Sequence, residues 1–165
     1  MSIKRDLLKE KLLNSKSFNT VYINVEDEER TRHEQMEILV ELLCDTKHQG
    51  ARAEVFNFLK KERKAVDLLI RAISEAKQDK RQLVAVCWEA DIDCDRYLEF
   101  FTDIILKDEL PVALEAFTTI ENMKTISPGV AEMIFEKVVE AIPKQTDPTK
   151  VALTNDLLEV LRNWQ

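Results

Sequence analysis

The sequence predicts an all-helical chain of stacked antiparallel helix pairs, and three observations carry that expectation. Only two of the 165 residues are glycine, Gly50 and Gly129. Sheet folds consume glycine in their turns, and phosphate-binding loops need it where the backbone must approach a ligand closely. Apolar residues recur at helical spacing almost from end to end, and blocks of that pattern repeat at a nearly constant offset. With 45% apolar and 33% charged residues, the chain has the length and composition to bury a core. A single domain over residues 1–165 is expected.

The elements follow in order. The first helix is expected over residues 2–14, with Ile3, Leu7, Leu8 and Leu12 inward. Residues 15–25 form the one long non-helical stretch. Residues 20–25 alternate like a strand but have no strand to pair with, so they read either as an extended linker on the core or as an early start to the second helix. Asn24 can cap that helix, with Glu26, Asp27, Glu28 and Glu29 near its positive end. Met36, Leu39, Val40 and Leu43 form its buried stripe, and it ends near Asp45 and Thr46. Seven more helices are expected, over residues 51–61, 64–76, 79–90, 94–107, 109–123, 128–142 and from 148 to near the C-terminus. Ser127-Pro128 and Asp147-Pro148 each place a capping side chain before a proline at the first helical position. Asp93 suits the cap of the sixth helix. Asp108 or Leu110 precedes or caps the seventh, and Pro111 falls in its first turn, where a missing N–H costs little.

The repeat lies in the middle of the chain. An offset of 31 lays Val55, Phe56 and Leu59 on Val86, Cys87 and Ala90, and Val66, Leu69, Ile70 and Ile73 on Tyr97, Phe100, Phe101 and Ile104. An offset of 30 carries Leu83, Val86, Cys87 and Ala90 onto Ala113, Ala116, Phe117 and Ile120, and one of 33 carries Tyr97, Phe100 and Phe101 onto Val130, Met133 and Ile134. Spacing is kept within helices and changes only in loops. The broad stripes Tyr97, Leu98, Phe100, Phe101, Ile104, Ile105 and Val130, Met133, Ile134, Phe135, Val138, Val139 cover more than one helix face. Stacked hairpins would join such faces into one core. The last helix, with Leu153, Leu157, Val160, Leu161 and Trp164 inward and Asn155, Asp156, Glu159 and Arg162 outward, would close the stack.

The run Lys107-Asp108-Glu109-Leu110-Pro111-Val112-Ala113-Leu114-Glu115-Ala116-Phe117 resembles the start of a HEAT-type or armadillo-like repeat, in which an aspartate ends one helix pair and a proline falls in the next first turn. The resemblance covers about residues 51–142. It departs from the family at the third helix, which lacks the proline, and after Val112, where Ala113 stands in place of the family's frequent arginine. It implies a right-handed α-α superhelix: N-terminal helices and linker over 1–48, about three hairpin repeats over 49–142 and a capping helix over 147–165. It also implies a concave face lined by the fourth, sixth and eighth helices, with polar positions drawn from Asp67, Arg71, Asp95, Arg96, Glu99, Asp103, Glu132, Glu136 and Glu140.

Charge and motif point away from most chemistry. The net charge of −7 and the absence of a basic stripe disfavour tight nucleic-acid binding. The densest basic run, Lys60, Lys61, Arg63 and Lys64 around Glu62, reads as a solvated helix junction. Asp91, Asp93 and Asp95 alternate as in a calcium loop, but Arg96 stands where that loop needs glycine and Thr102 where it needs glutamate, so they read as capping aspartates. Glu29, His33 and Glu37 share one helix face. With His48 the only other histidine, surface pairing is the reading rather than a di-metal site. Cys44, Cys87 and Cys94 have neither metal-site spacing nor a pairing pattern and read as reduced thiols: Cys87 in the core, Cys44 structural, and Cys94 beside a helix N-terminus but among aspartates. Trp88 and Trp164 read as packing anchors.

No catalytic, cofactor or metal-binding residues emerge, and no single binding residue is singled out. No segment reads as a signal peptide or membrane span, so a cytoplasmic location is expected. The leading expectation is a non-catalytic scaffold or adaptor that binds a protein, with its acidic face suited to a basic segment. The alternatives are a helical bundle binding a small ligand or metal, and a HEAT-like nucleic-acid base-repair enzyme.

Overall fold

The computed structural model describes residues 29–44, 49–61 and 63–165, and every regular element among them is helical. We number the helices α1 (Glu29–Cys44), α2 (Gln49–Lys61), α3 (Arg63–Glu75), α4 (Lys80–Glu89), α5 (Leu98–Lys107), α6 (Leu110–Glu121), α7 (Pro128–Ala141) and α8 (Pro148–Arg162). Short 3-10 turns at Asp95–Tyr97 and Ile142–Lys144 precede α5 and follow α7. From the second expected helix onward, each expected helix has its counterpart. The expected first helix, the 15–25 stretch, the Asn24 cap and His48 lie outside the described residues, as do the side chains of Glu29 and His33.

The chain divides into two compact units, Met1–Val86 and Cys87–Gln165, with the division inside α4. In the first unit α1, α2 and α3 each pack on the other two. Their apolar residues fall three and four apart, which puts Ile38, Leu39 and Leu42 of α1, Val55 and Leu59 of α2, and Val66, Leu69 and Ile73 of α3 in one buried cluster. Lys60, Lys61, Arg63 and Lys64 are all exposed at the α2–α3 junction, as expected. Between α3 and α4, Asp79 takes a left-handed φ of 57°, which aspartate tolerates better than most residues.

In the second unit α5 and α8 occupy the centre. α5 packs against α6, α7 and α8, and α8 packs against α5, α6 and α7. Phe101, Ile105, Leu157 and Leu161 supply fully buried side chains there. The helix pairing differs from the expected hairpins. The most extensive contacts join α5 to α6 and α7 to α8, whereas α6 and α7, expected to form one hairpin, share at most a marginal contact. The cause is connection length: only Asp108 and Glu109 separate α5 from α6, which leaves room for a direct reversal and little else.

Helix ends explain the remaining differences. Asp147 caps α8 as expected, its side chain accepting from the Thr149 N–H at 2.8 Å. Ser127 stands at the N-cap of α7, but its hydroxyl makes no capping bond. Asp93 does not cap α5. Its carboxylate accepts the Asp95 N–H at 3.2 Å and shapes the 3-10 turn instead. Carbonyls at the C-terminal end of α5 are satisfied from the α7–α8 side: Gln145 Nε2 donates to Leu106 O at 2.9 Å, and the buried Lys150 ammonium donates to Ile105 O and to Asp108 O. A cation there also meets the negative end of the helix dipole. Burial lowers the Lys150 pKa below its ordinary value.

Candidate functional site

The stripe Val130, Met133, Ile134, Phe135, Val138 and Val139 was expected to be core. The structure buries Ile134 and Val138, with Ala131, and half-buries Phe135. It leaves Val130, Met133 and Val139 exposed at 42%, 53% and 44%. The helical period accounts for this. Residues 131, 134 and 138 fall on the side of α7 that meets α5 and α8, whereas 130 and 133 fall on one flank and 139 on the other. Glu132, Glu136 and Glu140 run between the flanks at four-residue spacing, all exposed, and make no ion pair among the described residues. Like charges at that spacing cost an isolated helix about 0.2–0.5 kcal/mol per pair. The one basic side chain of α7, Lys137, is drawn away from them: its Nζ lies 2.8 Å from both Glu99 Oε1 and Asp103 Oδ1 on α5.

The other polar positions expected on a concave face divide into committed and solvent-facing groups. In the first unit Asp67 is exposed and Arg71 pairs with Glu75 at 2.9 Å. In the second unit Glu99 and Asp103 come together around Lys137, and Lys107 adds a second bond to Asp103 at 2.9 Å. Burial pushes the Asp103 carboxyl up, but the ammonium groups of Lys137 and Lys107 beside it outweigh that and hold it below its ordinary value. Lys137 is raised in turn by Asp103 and then Glu99. Arg96 stacks on the Tyr97 ring at 4.8 Å.

The alternating aspartates act as a clasp. Asp95 accepts the backbone N–H groups of Lys124 and Thr125 at 3.1 and 2.6 Å, and Asp91 pairs with Lys124 Nζ at 2.9 Å. They thus fasten the α6–α7 connection to the loop before α5. Among the described residues no cluster of three or more His, Cys, Asp or Glu is placed to hold a metal ion. Trp88 is half-buried, its indole N–H donating to Glu115 Oε2 at 3.1 Å. Burial, then Asp79, pushes the Cys44 thiol up to about 11, with Arg52 opposing. Cys87 and Cys94 are 1% and 2% exposed, and Cys94, then burial, pushes the Cys87 thiol above its ordinary value.

Among the described residues no helix is long and apolar enough to cross a membrane. Comparison with protein-family models, with curated proteins and with solved structures returned no match.

Proposed function

We propose that the chain is a non-catalytic protein-binding module of stacked helix pairs, similar in kind to HEAT and armadillo repeats. In this reading the solvent face of α7 takes up a basic, amphipathic segment of another protein. The observation that carries the reading is the make-up of that face, where exposed Val130, Met133 and Val139 flank Glu132, Glu136 and Glu140. Covering the apolar flanks gains roughly 25 cal/mol for each Å² removed from water. A basic partner would also relieve the repulsion between the glutamates. Exposed methionine adapts its shape to what covers it.

The test is affinity capture with nuclease-treated lysate, comparing the wild-type chain with the triple variant E132K/E136K/E140K. The reading expects one or more stoichiometric proteins bearing a basic amphipathic segment, lost from the charge-reversed variant and weakened by moderate salt. Identical capture by both chains, or recovery of nucleic acid in place of protein, would count against it.

A further inference from the structure

We propose that the occupant of the α7 face is the basic segment at residues 2–14 of a second copy of this chain, so that two copies exchange segments and close as a symmetric pair. The proposal rests on the reading of α7 as a protein-binding face and names its partner. On α7, Glu132, Glu136 and Glu140 advance along one line, about 6 Å apart at about 1.5 Å per residue. Exposed Val130 and Met133 border that line on one side and exposed Val139 on the other. Lys137, the one cation of α7, is held by Glu99 and Asp103 of α5, so a neutralising charge has to come from outside the helix.

The sequence before α1 carries the matching pattern. Residues 2–14, which lie outside the described residues, hold four basic side chains against two acidic ones, in a chain of net charge −7. Read at the helical period, Lys4 and Lys11 fall on one line, with Ile3 and Leu7 on one side of it and Leu8 and Leu12 on the other. Asp6 and Glu10 fall outside that arc. A basic line between apolar borders is thus available to an acidic line between apolar borders, and the two are of similar length, about 10 and 12 Å. Opposite charges would set the register of the segment, and its leucines would take Val130, Met133 and Val139 out of water. Each copy carries both halves, one segment and one face. A pair therefore covers both faces at once, in the closed two-fold arrangement commonest among soluble oligomers.

The experiment measures the mass of the full chain by sedimentation, for the wild type, for K4E/K11E, for E132K/E136K/E140K and for an equal mixture of the two variants, with circular dichroism to check that helical content is unchanged. The wild type is expected to be a dimer that moderate salt weakens. Either variant alone puts like charges on segment and face, and its dimer dissociation constant should rise roughly tenfold or more. The mixture should regain a dimer, because each variant's segment then meets a face of opposite charge. A photoreactive residue at Met133, in a mixture of heavy-nitrogen-labelled and unlabelled wild-type background chains, should give adducts to residues 2–14 that join the two isotopes. A monomeric wild type, a dimer indifferent to both variants, a mixture no more associated than its parts, or adducts confined to one isotope, as the chain's own segment would give, would each overturn the proposal. A monomeric wild type whose lysate capture still depends on Glu132, Glu136 and Glu140 would overturn this proposal alone, whereas capture that ignores those residues would overturn the reading of α7 with it.

Discussion

Phe100 and Met133 hold matching places in the repeat, as do Phe101 and Ile134, yet only the second pair is fully buried. A repeat offset reports helical phase. How wide a stripe becomes core depends on how many neighbours surround each helix. α5 meets three helices in its unit, while α7 meets two, so the same apolar width leaves Met133 outside. Phe101→Ala should cost about 3–5 kcal/mol of stability in urea denaturation, because the cavity cannot refill. Met133→Ala should change stability by no more than about 0.5 kcal/mol while weakening partner capture. Asp103 supplies a pH test. Its carboxyl is held below the ordinary carboxylate value, so its contribution is present above that value and lost as pH falls through its own lower value. The stability difference between wild type and Asp103→Asn should therefore be level above about pH 5 and shrink as pH drops below about 4. A difference independent of pH would show that the ion cluster with Lys137 does not form.

Helix existence and extent were legible because they depend on local pattern: the expected 128–142 and 148-onward helices correspond closely to α7 and α8. Which helices pair was less legible. The repeat alignment grouped α6 with α7, but the two-residue connection Asp108–Glu109 makes α5 and α6 the close pair. That connection was visible in the sequence and is a stronger guide than the repeat offset. Caps divide similarly. Asp147 and Ser127 both precede proline, but only Asp147 bonds to a helix N–H. Asp147→Ala should cost about 1 kcal/mol and Ser127→Ala only a few tenths, both measured by thermal or chemical denaturation. Equal costs would mean that the Ser127 hydroxyl caps α7 in solution. Lys150 could not be foreseen, since its partners Ile105 O and Asp108 O lie in and just after α5, more than forty residues earlier in the chain.

At the scale of the whole molecule, the basic character of the proposed partner rests on the net charge of −7 and not on any motif. Much of the acidic surface expected on a concave face is already neutralised internally, with Glu99 and Asp103 held by Lys137 and Asp95 committed to the Lys124 and Thr125 amides. What remains for another molecule in the second unit is the face of α7, and the proposed function stands or falls on it. The most direct measurement places a photoreactive residue at Met133 and, as a control, at the exposed Asn155 of α8, and compares the adducts formed in lysate. The account predicts a discrete protein adduct from position 133, mapping to a basic amphipathic segment and missing from position 155. Adducts identical at the two positions, or none at position 133, would contradict it.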